Sequence, residues 1–89
     1  SEQESYIVEK EAAVGDDVAR KLVKLGGMTR NLKDSGLAEG ASTRLLIQAA
    51  FLIKSGIDER EACRAGIIES LTDEQELLDS MEDMARAVF

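Results

Sequence analysis

Apolar residues recur every three or four positions along much of this chain, which is the spacing that places side chains on one face of an α-helix. The clearest run consists of Val18, Leu22, Leu25, Met28 and Leu32. Proline is absent and only 3% of the residues are aromatic, so local propensity also favours helix over sheet. We therefore predict an all-α fold in which residues 1–89 form a single domain, a compact small helical bundle of about five helices.

Helix-start and turn signals divide the sequence into five segments. In a capping box, a side-chain oxygen accepts a hydrogen bond from a backbone N–H of the first helical turn, and such boxes are predicted at Ser1 with Glu4, Asp58 with Glu61, and Thr72 with Gln75. Asp16 is predicted to cap the second helix. The helices are predicted at about residues 1–12, 16–33, 42–55, 58–68 and 72–88, with a loop over residues 34–40.

Two of these helices have an unusual composition. Gly26 and Gly27 lie inside the second helix and weaken it by roughly 1 kcal/mol each relative to alanine, which predicts a kink or a close approach of another helix. Residues 42–55 are apolar on nearly every side, so the third helix is predicted to lie at the centre of the bundle. Gly56 follows it as a C-terminal glycine cap would.

Charge and the scarce reactive residues exclude several classes of function. With 18 acidic and 11 basic residues the net charge is −7, so we expect no nucleic-acid partner. The chain has one cysteine, Cys63, and no histidine, which excludes an internal disulfide, the common zinc sites and a histidine-based triad. We predict no catalytic residue, no metal site and a reducing cytoplasmic location.

The ends and the hydropathy of the chain add two expectations. No apolar run approaches 20 residues and the polar start does not resemble a signal peptide, so no contact with a membrane is predicted. The chain begins at Ser1 instead of Met, which fits either a processed start or an excised domain.

The segment Gly40-Ala41-Ser42-Thr43-Arg44 is the strongest candidate for a binding site. If Ser42 caps the third helix, Arg44 lies in the first turn, where the free N–H groups and the helix dipole disfavour a cation. An anion would compensate, because N–H groups, the Ser42 and Thr43 hydroxyls and a guanidinium together suit a phosphate. Alternatively, Arg44 pairs with an acidic neighbour or points into water.

Two other charged groups have alternative interpretations. A basic cluster precedes the Arg44 segment and either adds positive potential around a phosphate or is a solvated face: Arg20, Lys21, Lys24, Arg30 and Lys33. Residues 69–83 contain seven acidic and no basic residues, and form either a docking surface for a basic partner or a solubilising face.

Several spaced motifs give the chain a family resemblance from about residue 14 to residue 89. It resembles the C-terminal region of CbbQ/NorQ/GvpN-type ATPases, a MoxR-type group of AAA+ proteins. The matching motifs are Arg30-Asn31-Leu32-Lys33-Asp34, residues 40–46, Gly56-Ile57-Asp58, residues 60–65 and Leu71-Thr72-Asp73. The sequence departs from the family pattern at Gly26 and Gly27, and at Ser70, where many relatives carry proline.

The resemblance implies a role within a larger ATPase. The N-terminal AAA+ core with its Walker motifs is absent from this chain, so the fragment alone is not expected to be catalytic or to hold ATP and Mg²⁺, which belong to the full-length parent. This domain would be the C-terminal lid, with Arg44 as a sensor-2 residue on the γ-phosphate and Ser42 and Thr43 beside it. The parent would be an ATPase.

The resemblance also implies partners. Relatives form homo-oligomeric rings, commonly hexamers, and work with a partner carrying a von Willebrand factor A domain to activate or assemble a metabolic enzyme of the Rubisco or nitric oxide reductase type. The main alternative is a stand-alone acidic helical protein-interaction module with no nucleotide role. A helix-turn-helix regulator is a weaker one, because Asp58, Glu59 and Glu61 would face phosphate.

Overall fold

Five helices account for most of residues 2–89, which are the residues described by the computed structural model. They are α1 (Glu2–Ala12), α2 (Asp16–Arg30), α3 (Thr43–Lys54), α4 (residues 59–71) and α5 (Gln75–Val88). A 3₁₀ turn, Asn31–Ser35, follows α2, and no strand occurs in this part of the chain. The prediction of an all-α bundle of about five helices is confirmed. The Ser1 half of the first capping box lies outside the described residues.

Two of the helix starts agree with the sequence prediction. Ser42 caps α3, since its hydroxyl accepts a hydrogen bond from the N–H of Leu45 at 3.3 Å. Asp58 caps α4, where one carboxylate oxygen accepts from the N–H groups of Arg60 at 3.2 Å and Glu61 at 3.3 Å. The reciprocal bond of the predicted capping box is absent among residues 2–89, because the Glu61 carboxylate pairs with Arg64. The Ser42 and Asp58 side chains satisfy donors that the first helical turn would otherwise leave without a partner.

The two remaining predicted caps are wrong. Gly15, in an extended conformation, precedes α2, and Asp16 is already helical, with its carboxylate on Arg20 at 2.8 Å. Thr72 closes a short turn instead, because its hydroxyl accepts from the N–H of Glu74 at 3.1 Å, and α5 begins only at Gln75. Neither side chain therefore caps a helix. The Asp16 carboxylate pairs with an arginine, and the Thr72 hydroxyl accepts from an N–H in its own turn.

Gly56 ends α3 in the predicted manner. Its φ is +101°, a left-handed conformation that glycine adopts without the strain of a side chain. The N–H of Gly56 donates to the carbonyl of Ile53 and the N–H of Ile57 donates to that of Leu52, each at 3.0 Å. This pair of bonds is the Schellman motif, which satisfies two of the last carbonyls of the helix.

The fourth helix is longer than predicted and changes its winding. It comprises the α-helical Glu59–Cys63, a π-helical turn at Arg64–Ile68 and a final turn at Glu69–Leu71, whereas the sequence predicted an end at Ile68. Gly66 in the π turn lies against α3, because a Cβ there would be 3.1 Å from the Cα of Ala49. The wide turn therefore lies where α4 packs closely against α3.

The core lies between α2, α3 and α4, with α1 and α5 packed across it. Leu46, Ala49 and Ala50 of α3 are fully buried, but Phe51 is 50% exposed. α3 packs against α1, α2 and α4, as its predicted central position requires, and only the side that carries Phe51 faces solvent. Of the two glycines of α2, Gly26 lies at a close approach of α2 and α3, because a Cβ there would be 3.1 Å from the Cδ1 of Leu46. α2 is one continuous helix through both glycines.

No helix in residues 2–89 combines the length and the apolar character that a membrane span requires.

Candidate functional site

The predicted anion site lies at the start of α3. Ser42 is extended (φ −80°, ψ 163°), and Thr43 and Arg44 are the first two helical residues. The carbonyl of Ser42 accepts from the N–H of Leu46 at 3.2 Å, and its hydroxyl accepts from Leu45. Within the described residues the N–H groups of Thr43 and Arg44 have no acceptor, so the positive end of the helix dipole remains available to an anion.

Arg44 is exposed and has neither a hydrogen bond nor an ion pair with any residue from 2 to 89. The alternative in which it pairs with an acidic neighbour is therefore absent from this structure. Its guanidinium and the two free N–H groups lie in the same helical turn. Such a group suits a phosphate, because a guanidinium and backbone N–H groups both donate hydrogen bonds to phosphate oxygens.

The Thr43 hydroxyl has a partner inside the protein. The hydroxyl donates a hydrogen bond to Glu4 Oε2 of α1, with the two oxygens 2.6 Å apart. The same carboxylate receives both guanidinium nitrogens of Arg30, with Nη1 at 2.9 Å from Oε1 and Nη2 at 2.7 Å from Oε2. The Glu4 cluster, defined as Glu4, Arg30 and Thr43, thus joins the starts of α1 and α3 to the end of α2.

The segment before α3 is attached to the same cluster. Arg30 Nε donates to the carbonyl of Ala41 at 2.9 Å. The N–H of Ala41 donates to the hydroxyl of Thr29 at 3.0 Å, and that buried hydroxyl donates in turn to the carbonyl of Gly26 at 2.7 Å. Both polar groups of the Ala41 backbone are therefore bonded to α2, which fixes the approach of the chain to Ser42.

Position 40 is occupied by glycine because a side chain there would clash with Arg30. A Cβ at this position would lie 2.5 Å from both the Cα and the Cγ of Arg30, and 2.8 Å from its backbone nitrogen. No side chain fits at that separation without displacement of backbone. Gly40 therefore allows the chain to pass directly over Arg30.

The charges of the Glu4 cluster balance each other. Hydrogen bonds from Arg30 hold the pKa of the Glu4 carboxyl below its usual range, against the opposing effect of partial burial, and the Thr43 hydroxyl lowers it further. The side chain of Glu4 is only 13% exposed. A carboxylate so close to an anion site would repel the anion, but the Arg30 guanidinium neutralises the charge of Glu4.

The predicted basic cluster is largely neutralised. Arg30 belongs to the Glu4 cluster, Arg20 contacts both Glu2 and Asp16, and Lys21 lies 3.3 Å from Asp17. Lys24 and Lys33 have no ion pair among residues 2–89. Of the five basic residues, Arg30 is placed beside the start of α3 by direct contacts.

Away from the start of α3, a cleft of about 190 Å³ lies between α4 and α5. Three arginines and three acids line it, so it has no net preference for either charge: Asp58, Arg60, Glu61, Arg64, Glu82 and Arg86. Arg64 pairs with Glu61 and Glu69, and Arg86 pairs with Asp83 at 2.7 Å. The acidic stretch of residues 69–83 is therefore partly neutralised by its own chain.

Sequence reasoning missed Glu4 as a part of this site. Glu4 and Thr43 are 39 positions apart and no spacing rule connects them. Only Gly40 gave a signal, because a glycine three residues before the helix indicates close contact with another part of the backbone.

No group of three or more acidic, histidine or cysteine side chains in residues 2–89 is placed to bind a metal ion.

Comparison with known proteins gives a consistent result. The family described as CbbQ/NirQ/NorQ C-terminal matches residues 4–88. The chain is similar to the denitrification regulatory protein NirQ of Pseudomonas aeruginosa, with 42% identity over 84 residues, which are 94% of this chain and 32% of the relative.

Two further relatives agree. They are the protein NorQ of Paracoccus denitrificans, with 40% identity over 98% of this chain and 32% of the relative, and the protein CbbQ of Hydrogenophilus thermoluteolus, with 41% identity over 99% of this chain and 33% of the relative. The chain therefore spans about a third of the length of the curated relatives it matches.

Proposed function

Because the chain belongs to the family of CbbQ/NirQ/NorQ C-terminal domains, we propose that it is the lid of an AAA+ ATPase, and that Arg44 contacts the γ-phosphate of bound ATP as its sensor-2 residue. The observation that carries this proposal is the exposed guanidinium of Arg44 at the start of α3, which, like the two N–H groups beside it, has no partner among residues 2–89. Ser42 supports the same turn by capping it.

The chemistry follows from where charge develops during hydrolysis. A guanidinium beside the γ-phosphate stabilises the negative charge on its oxygens, and a contact that exists only with ATP also couples the position of the lid to the state of the nucleotide. The N–H groups of Thr43 and Arg44 add a fixed positive field. The residues of this chain thus bind and orient the phosphate, while Mg²⁺ and the attacking water would be held by the rest of the parent protein.

The wider assignment is part of the same proposal. The parent forms a homo-oligomeric ring in the cytoplasm and works with a partner that carries a von Willebrand factor A domain. Its target is a metabolic enzyme of the Rubisco or nitric oxide reductase type, and the name of one relative, denitrification regulatory protein NirQ, supports a role of that kind. The coverage of about a third of each relative is consistent with a separate ATPase core in the parent.

ATP turnover by the full-length protein tests the role of Arg44. We expect Arg44→Ala to lower kcat about tenfold or more, as the loss of a charged contact to a transition-state oxygen does. Arg60→Ala is the matched control, since Arg60 is also an exposed second residue of a helix without an ion pair in the described chain, but lies at the cleft between α4 and α5. Equal turnover in both variants would reject the sensor role and favour a protein-interaction module.

A further inference from the structure

We propose that Glu4 is a positioning residue for Arg44, holding the first turn of α3 at a fixed angle to α1 and α2 so that the guanidinium meets the phosphate. This inference rests on the proposed function, because it assigns a task to Glu4 only if Arg44 contacts nucleotide. Glu4 itself does not touch the anion. It acts through Thr43, the residue that directly precedes Arg44.

The geometry gives Glu4 a central place among three helices. Its carboxylate accepts the Thr43 hydroxyl at 2.6 Å and the two Arg30 nitrogens at 2.9 Å and 2.7 Å. Arg30 in turn holds the carbonyl of Ala41 at 2.9 Å. Residues on both sides of Ser42 are therefore fixed to one partly buried ion pair, whereas exposed ion pairs give no such fixation.

The fixed angle matters because an arginine side chain is long and flexible. Four rotatable bonds separate the guanidinium from its Cα, so binding loses less conformational entropy when the helix beneath is rigid. A helix start that rocked relative to α2 would displace the guanidinium and the two free N–H groups together. The hydrogen bond from Thr43 to Glu4 links the first turn of α3 directly to α1.

The chain supplies a matched control for this role. Glu2 lies on α1 and receives two nitrogens of Arg20 of α2, so it joins the same two helices by the same kind of ion pair. Among residues 2–89, Glu2 has no hydrogen bond or ion pair with α3, and its side chain is 80% exposed. A comparison of Glu4→Gln with Glu2→Gln therefore separates the link to α3 from the link between α1 and α2.

Hydrogen exchange in the full-length protein tests the link without reference to catalysis. In Glu4→Gln we expect amides of residues 40–46, among them those of Ala41 and Leu45, to exchange about fivefold faster, because the segment opens more often. Glu2→Gln should leave their rates unchanged. Unchanged rates in Glu4→Gln would overturn the inference, even if Arg44→Ala had already supported the proposed function.

A double-mutant cycle on ATP turnover tests the functional part. We expect Glu4→Gln to lower kcat about fivefold, and Glu4→Gln combined with Arg44→Ala to be no slower than Arg44→Ala alone, because Glu4 acts through Arg44. Effects that multiply would overturn the inference and leave the sensor role intact. If Arg44→Ala turns over ATP normally, the proposed function fails, and the positioning role fails with it.

A second pair of variants covers the case in which Glu4→Gln does not fold. Thr43→Val keeps the shape of the side chain and removes only the hydroxyl that reaches Glu4, and Thr43→Ser restores that hydroxyl. We expect the faster exchange of residues 40–46 and the lower kcat in Thr43→Val but not in Thr43→Ser. The same behaviour in both variants would contradict the role of this hydrogen bond.

Discussion

Individual residues at the start of α3 show how a charged site and a packing constraint occupy the same short segment. Arg44 faces solvent without a partner in the described chain, whereas Thr43 beside it is bound to a carboxylate 39 positions away. The sequence predicted Ser42 as the helix cap and placed Arg44 in the first turn as a candidate anion ligand, while it left an acidic partner for Arg44 open. It did not predict Glu4, since its contact with Thr43 depends on how α1 packs on α3.

Gly40 gives a prediction about stability. We expect Gly40→Ala to lower the free energy of unfolding by about 1–3 kcal/mol, since the added methyl group meets the backbone of Arg30 and the segment must move. Urea denaturation measures the change. Gly27→Ala controls for the addition of a methyl group, because nothing lies within 4 Å of a Cβ at that position. Equal stability of Gly40→Ala and the wild type would contradict the close packing.

Cys63 gives a prediction about pH. Burial, with a smaller contribution from Glu59, Glu82 and Asp58, raises the pKa of its thiol to about 12 from 9.0. The unfolded chain therefore releases the thiol proton at lower pH than the folded chain does. The free energy of unfolding should decrease as pH rises above 9.0, and Cys63→Ala should show a smaller decrease.

The reactivity of the same thiol provides a direct measurement. At about pH 8 a thiol reagent should label Cys63 only in unfolded protein, because the folded thiol is fully buried and protonated. Rapid labelling of the folded chain would contradict the predicted burial and pKa.

At the scale of helices, the sequence predicted which segments are helical better than where each begins. Apolar patterning and helix-start signals together identified all five helices, and Asp58 and Gly56 marked a start and an end correctly. Asp16 and Thr72 did not cap, because neighbouring charges and turns offered their side chains other partners. The π turn of α4 had no local signal, since it lies where Gly66 meets Ala49 of another helix.

The two glycines of α2 test the distinction between local propensity and packing. Gly27→Ala should raise the free energy of unfolding by about 0.5–1 kcal/mol, because alanine favours helix and the site has room. Gly26→Ala should gain less or lose stability, since its Cβ would lie 3.1 Å from Leu46. Thermal unfolding of both variants measures the difference. A larger gain for Gly26→Ala would contradict the close approach of α2 and α3.

At the scale of the whole molecule, an acidic helical domain carries a small outward-facing group of positive donors. The chain has a net charge of −7, yet the Glu4 carboxylate beside the start of α3 pairs with Arg30, and Arg44 has no neutralising partner in residues 2–89. The chain belongs to the family of CbbQ/NirQ/NorQ C-terminal domains, and it spans about a third of the length of curated relatives that are 40–42% identical to it. The proposed lid role joins the two observations.

The affinity of the full-length protein for ATP and for ADP tests that role most directly, because the two nucleotides differ by the phosphate that Arg44 is proposed to contact. For Arg44→Ala we expect the Kd of ATP to rise about tenfold while the Kd of ADP stays unchanged, and for Arg60→Ala neither should change. If Arg44→Ala leaves both affinities unchanged, or weakens both equally, Arg44 is not a γ-phosphate sensor.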